Sequence, residues 1–293
     1  MELQQMRYVV AVAETSNFTR AAEQCLVVQS ALSHQIARLE SELGAKLFER
    51  TSRRVRLTPA GEAFLPAARQ ALDAAERARA EVAAAAGEIR GRLAIGAISA
   101  VGAVDLPAVL KQFHLRYREV RISLRTSPSE DLIERIRQGT LDAAFVGLPL
   151  GVRPLGVRSH ELGGGDLVAV VAPDHPLADR EHVDLHRLAD ETFVDFPAGT
   201  AGRAHSDAAF AAAGVRREVS FEVTTANLMA RLIRQGLGIG MLPAAFMPEL
   251  PDLPIVRLSD APAGVEHLIW SRFQPSPAAT AFLSALGVPA PSA

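Results

Sequence analysis

The chain has 293 residues, with 31 Lys plus Arg against 33 Asp plus Glu, 48% hydrophobic and 22% charged residues. Such proportions describe a folded globular protein of one large or two ordinary domains, and exclude a disordered, fibrous or uniformly basic, nucleic-acid-coating chain. The single cysteine, Cys25, excludes a disulfide framework and a thiolate-rich metal site, and fits a reducing compartment.

The N-terminal run MELQQMRYVVAVAE lacks a cationic segment followed by an unbroken apolar one, so no signal peptide is expected. The longest uncharged run, 273–293, is punctuated by Pro275, Pro277, Pro289 and Pro291, unlike a membrane helix. No membrane contact and a cytoplasmic location follow as expectations. Charge distributes unevenly. Residues 1–58 carry eight Lys or Arg and six Asp or Glu, a net +2, and the remainder carries −4. Residues 46–56 hold Lys46, Arg50, Arg53, Arg54 and Arg56 against Glu49 alone, a local +4.

In chain order, Leu3, Met6, Val9, Val10 and Ala13 are spaced for an amphipathic helix over 2–14. Ser16 or Asn17 offers a turn or cap, and a short helix is predicted over 19–25, with Cys25 on its apolar side. Val27 and Val28 interrupt. A third helix over 30–43 carries Leu32, Ile36, Leu39 and Leu43 on one face and stops at Gly44. Three short helices with a brief break between the second and third predict a helix-turn-helix, and the alternating 54–57 segment predicts a hairpin wing beside it. Gln29, Ser30, Ser33, His34 and Arg38 fall on the first turns of the third helix, away from its apolar face. Gln and Ser can read base edges, and Arg can pair with phosphate or guanine. Arg53 and Arg54 on the wing would reach phosphates or the minor groove. An isolated basic run is usually a solvated loop; its place beside a helix-turn-helix favours DNA binding.

Thr58 and Pro59 open a long helix over 59–90, with a heptad stripe of Leu65, Ala68, Leu72, Ala75, Val82, Ala86 and Ile89 broken at Arg79. Such a stripe either seeks a partner helix or packs on its own domain. The Ala and charge content of 69–86 leaves little apolar bulk for a deep core and favours dimerisation. Pro66 is a candidate kink.

After Gly91 strands and helices alternate. Strands are predicted over 93–98, 120–125, 141–146, 167–171, 192–195, 219–223, 238–241 and 268–271, with helices over 104–117, 129–138 and 226–235. The repeated β-α-β order predicts an α/β domain with largely parallel sheets, in two lobes with a cleft between them. No nucleophile elbow, phosphate loop or dinucleotide fingerprint occurs. His182 and His186 are four apart but have no evident third ligand, so neither a metal nor a cofactor is expected.

Several motifs are recognisable together. Ala21-Ala-Glu-Gln24, the Gln29–Glu40 run, Glu42-Leu-Gly-Ala-Lys-Leu-Phe-Glu-Arg50 and Leu57-Thr-Pro-Ala-Gly61 resemble the LysR-type transcriptional regulators, as do the 170–178 and 232–243 segments. The resemblance implies a winged helix-turn-helix (1–58), a linker or dimerisation helix (59–90) and a periplasmic-binding-protein-like effector domain (91–293; lobe I 91–161 and 268–293, lobe II 162–267). It also implies double-stranded promoter DNA, a small-molecule effector, RNA polymerase and the chain itself, as dimer or tetramer, for partners. By matching position the effector candidates are Ser99, Ala100, Ser127, Ser129, Thr200 and Thr225, with Arg203 adding positive charge. Ser99 and Thr200 stand where strands feed helix N-termini, which suits a carboxylate or other small anion; Ser127 and Ser129 read equally well as caps. Two departures from the family pattern stand out. Val28 cannot cap, which hands that role to Ser30 or Gln29, and His34 replaces a common Arg. The expected function is ligand-responsive transcription regulation without catalysis. The alternative is a binding protein or enzyme built on the two-lobed domain, which leaves the basic head without a purpose.

Overall fold

The computed structural model describes residues 1–50, 55–259 and 263–288. Arg53 and Arg54, named above as wing contacts, lie outside them. The chain divides into two compact units, 1–87 and 88–293.

In the first unit, α1 (Leu3–Thr15), α2 (Phe18–Gln24) and α3 (Gln29–Leu43) pack Val9, Val12, Ala21, Leu32, Ile36 and Leu39 into one core with Leu47 and Phe48. Asn17, one of the two expected caps, opens α2 by accepting from the amides of Thr19 and Arg20, and the helix starts at Phe18, one residue earlier than predicted. Val28, not Gln29 or Ser30, is the N-cap residue of α3, and no side chain caps there. Its extended backbone is enough to turn the chain into the helix, which leaves the first amides open for outside acceptors. Gly44 closes α3 at φ +68°. Strands β1 (Phe48–Arg50) and β2 (Val55–Leu57) pair antiparallel, Phe48 opposite Leu57.

Helix α4 (Pro59–Ala85) starts on Thr58, whose hydroxyl accepts from the Gly61 amide and donates to the Lys46 carbonyl. A Cβ at Gly61 would stand 2.1 Å from the Leu47 carbonyl oxygen, so the helix start can approach the hairpin this closely only as glycine. The helix runs through Pro66 and ends at Ala85, short of the predicted 90. Gly87, at φ +85°, breaks the stripe, and Ile89 packs instead into the second unit. The first half of α4 lies along α1, with Ala68 buried and Arg69 paired to Glu14 at 3.3 Å. Val82 stays exposed.

In the second unit the order is β3 (Gly91–Ala97), α5 (Leu106–Arg116), β4 (Val120–Thr126), α6 (Ser129–Arg137), β5 (Ala143–Pro149), β6 (Arg158–Val170), β7 (His182–Val183), β8 (Thr192–Asp195), α7 (Ala201–Ala212), β9 (Glu218–Glu222), α8 (Ala226–Arg234), β10 (Gly240–Pro243), a 3-10 turn (Ala244–Glu249), β11 (Ile255–Leu258), β12 (Ala263–Trp270) and α9 (Pro277–Ala285). The sheets are mixed rather than largely parallel. β3 pairs parallel with β4 and β5, β8 with β9, and β11 with β7, whereas β12 pairs antiparallel with β5 and β6, and β6 pairs antiparallel with β10 and β11. Thirteen-residue β6 explains the difference: its residues 158–166 pair with β12 in one sheet and 167–170 with β10 in the next. Gly163-Gly-Gly165 lies at this passage, so glycine marks a strand changing sheets rather than a loop. The return lies before Gly264, which already pairs with Pro149 of β5, so the lobe boundaries expected at 161 and 268 shift to about 166 and 263.

Lobe I buries Phe113 and Phe282 of α5 and α9 against one sheet face, and Leu132 and Ile136 of α6 against the other. Lobe II buries Met229 and Ile233 of α8 on one side, and Leu188, Phe193 and Phe210 on the other. Among the described residues no helix is long and apolar enough to cross a membrane.

Glu40, on α3, is the polar anchor of the first unit. Its carboxylate, only 4% exposed, accepts from the Leu47 amide (2.9 Å), the Phe48 amide (3.3 Å) and the Lys46 ammonium (2.9 Å). Burial alone would raise its pKa, but these hydrogen bonds outweigh it and hold the carboxyl below the usual range. A depressed folded pKa means that the stabilisation is complete above the unfolded value and is lost as pH falls through the folded one. Glu40→Gln should therefore cost about 1–3 kcal/mol at neutral pH. The deficit should narrow toward about pH 3, measured by urea denaturation of the full chain at several pH values.

Candidate functional site

On the first unit, Gln29, Ser30, His34 and Arg38 are exposed on α3, and Ser33 is half-buried between them. The Gln29 side-chain amide donates to Ser33 Oγ at 2.8 Å, which fixes its rotamer and leaves its carbonyl oxygen outward. Leu32, Ile36 and Leu39 are fully buried, so the polar face is presented as a rigid unit. Cys25 is half-buried, and burial raises its thiol pKa, which keeps it protonated.

On the second unit, the two lobes enclose a cavity of about 430 Å³, a size that suits a small organic molecule. Ser99, Ala100, Ser127, Ser129, Thr200 and Thr225, from four separated stretches of the sequence, all line it. Three helix N-termini open there: α6 at Pro128–Ser129, α7 at Thr200–Gly202 and α8 at Thr224–Thr225. Thr200 accepts from the Arg203 amide and donates to the Pro197 carbonyl, so the Ala201 and Gly202 amides remain as donors of the first turn. Thr225 caps α8 through the Leu228 amide. Ser129 spends its hydroxyl on the Gly147 carbonyl and amide, and Ser127 bonds Asp131, so both serve the fold. Ser99 makes no side-chain hydrogen bond within the protein among the described residues, and its hydroxyl joins those of Thr126 and Thr224 as free groups of the wall.

Arg203 does not line the cavity. Its guanidinium binds Asp207 and Glu222, each at 3.0 Å, and the Phe196 carbonyl at 3.2 Å, so neighbouring carboxylates have taken up its charge. Arg217 completes this network. It lies 4.9 Å from the centroids of both Phe193 and Phe210 and bonds Asp195 and Asp207 at 2.7 Å each. Together these contacts tie α7 to β8 and so aim its N-terminus.

Sequence reasoning missed His205 and Glu266, both on the wall. His205 sits on α7, a helix hidden by its Ala-rich, weakly periodic sequence. Its ring packs against Gly264, where a Cβ would come within 2.5 Å of it. Glu266 of β12 accepts from the Gly102 amide (2.8 Å) and the Ala103 amide (3.1 Å), and burial pushes its carboxyl above the usual range. No alternation marks 264–270, and the only local signal was a carboxylate set beside the predicted 268–271 strand. Among the described residues no three His, Cys, Asp or Glu side chains converge as a metal site.

Gly102 of lobe I meets Ala245 of lobe II so closely that an added Cβ would stand 2.7–2.8 Å from its backbone and side chain. Gly102→Ala should force the lobes to shift and cost about 1–3 kcal/mol, read from thermal unfolding of the second unit.

Residues 3–62 match a family model described as bacterial regulatory helix-turn-helix protein, lysR family, and residues 86–287 match the LysR substrate binding domain. The HTH-type transcriptional regulator ShiR of Corynebacterium glutamicum (strain R) is 36% identical over 244 residues, covering 82% of each chain. The DNA-binding transcriptional dual regulator OxyR of Escherichia coli (strain K12) is 32% identical over 259 residues, 85% of this chain and 81% of that one. The structure of full-length CbnR in complex with its target DNA has a TM-score of 0.75 at 25% identity, covering 98% of this chain and 99% of CbnR.

Proposed function

Because this chain belongs to the LysR family of ligand-responsive, DNA-binding transcriptional regulators, we propose that its first unit reads promoter DNA in the cytoplasm while its second senses a small carboxylate between the lobes. The observation that carries the sensing role is the convergence of three helix N-termini on one cavity. Unpaired amides and aligned peptide dipoles offer an anion both hydrogen-bond donors and positive potential. Thr200 stands at this anionic end; Ser99, expected to feed a helix start but seven residues short of α5, is assigned to the wall with Ala100 and Thr225. The second unit contains no cysteine, so a signal that reaches it does not act through a thiol there. The cavity is read as a binding site rather than a catalytic one, in keeping with relatives named as regulators.

On DNA, Gln29, Ser30 and Ser33 are assigned to base edges, and His34 and Arg38 to phosphate or guanine. Arg53 and Arg54 are assigned to backbone or minor groove on sequence grounds. Self-association runs through the second half of α4, where Val82 stays exposed on a helix that α1 covers only earlier. A dimer pairs two DNA heads, a tetramer pairs two dimers, and RNA polymerase contacts the bound assembly. Effector binding favours one closure of the lobes, and the coupling works equally in both directions.

Thr200→Val should abolish the transcriptional response to effector in a reporter assay and leave DNA affinity unchanged; full induction would refute the anionic site. Arg38→Ala should weaken binding to all duplexes and lower the salt slope by about one, whereas Gln29→Ala should relax sequence preference in a binding-site selection. Val82→Asp should shift the full chain toward monomer in analytical ultracentrifugation.

A further inference from the structure

Glu266 is the one feature of the cavity wall that an anion-binding role does not explain. Each of its carboxylate oxygens accepts one backbone amide, from Gly102 or Ala103, which leaves lone pairs for the cavity it lines. No Lys or Arg stands on the described wall, and Glu266 forms no ion pair among the described residues. The two amides favour the ionised form without cancelling its charge. A carboxylate that has donors but no counter-charge is costly in a confined site, and more so once a ligand displaces the water around it. A hydroxyl on the ligand would add a hydrogen bond and leave the charge standing; an ammonium group would supply both.

We infer that the cavity is bipolar and takes a small amphoteric acid, whose carboxylate meets the N-termini of α7 and α8 and whose ammonium group bonds Glu266. This rests on the carboxylate reading of the same cavity and adds a second pole on a different wall, β12. His205 is the other titratable side chain of the described wall, on Gly264 two residues from Glu266. A cationic His205 would offer an internal cation in place of the ligand's, so the titrations are repeated in His205→Gln, where the ammonium preference should persist.

The test is isothermal titration of the full chain with acids matched within each of two frames: butyrate, γ-hydroxybutyrate and γ-aminobutyrate, then para-methylbenzoate, para-(hydroxymethyl)benzoate and para-(aminomethyl)benzoate. In at least one frame the ammonium acid should bind about tenfold tighter than both partners. Glu266→Gln should erase that advantage while retaining the affinity for the amine-free acid. Equal affinities within each frame, or an ammonium preference that survives in Glu266→Gln, overturn the inference and leave the carboxylate reading intact. The carboxylate reading fails separately, and takes the inference with it, when the acids bind no better than butylamine or benzylamine, or do not bind. The wild-type comparison needs no variant, so equal affinities overturn the inference even where loss of one acceptor for the Gly102 and Ala103 amides prevents Glu266→Gln from folding.

Discussion

The second unit depends on one strand pair. β6 and β12 run antiparallel from Arg158 opposite Trp270 to Asp166 opposite Ala263, and β6 then continues into the other lobe's sheet. A strand shared by two sheets must twist sharply, and the three consecutive glycines at 163–165 permit it. Because the same residues form the wall between the lobes, the passage is also part of the cavity: Gly163, Gly164, Gly165, Gly264 and Glu266 all line it. A Cβ at Gly164 would come within 2.9 Å of the Gly264 carbonyl oxygen, so the two strands can lie this close only as glycine. Gly264 already has the His205 ring where its Cβ would be.

Around that wall the electrostatics are set by backbone more than by side chains. The cationic side chains nearest to hand, Arg203 and Arg217, are drawn into Asp195, Asp207 and Glu222, which orient α7. What faces the cavity is the uncovered first turn of that helix, a weaker field than a guanidinium but a fixed one. Fixed partial charges need no reorganisation on binding, whereas a free arginine must be ordered first. Glu266, held by two amides on the β12 wall, gives the same space an opposite sign.

The first unit shows a comparable economy. Glu40 satisfies the amides that lead into the hairpin and draws in Lys46, so a basic residue of the 46–56 cluster is committed to structure. The polar face of α3 is left exposed by complete burial of its opposite face. The absence of a capping side chain at Val28 leaves the amides at the start of that helix open, in the place where an anionic backbone would approach in the proposed DNA complex.

The helix-turn-helix was legible because its signals are local. Apolar residues recur at helical spacing, Asn17 opens one helix, Gly44 ends another, and Thr58-Pro59 opens a third; each acts within a few residues. The same held for β3, β8 and α8, and for the six wall residues placed by motif. What stayed hidden has a common cause. α7 is Ala-rich, so its inward face lacks a strong apolar period, and α9 begins at Pro277 inside a run whose prolines read as irregular. The ends of β6 and β12 were legible at 167–171 and 268–271, but their glycine-bearing first halves locally argue against strands, and only pairing across the sheet extends them. Arg203 looked like a ligand for the opposite reason. Asp207, four residues on, was a local partner only if the unpredicted α7 formed, and Glu222, nineteen positions away, is brought to it by the fold alone. The sequence by itself determined the helical head, the succession of elements and the chemistry available to each. Tertiary structure alone decided which strand crosses between lobes, which charges are spent and which face the cavity, because those depend on pairings between residues that the chain brings together only when folded.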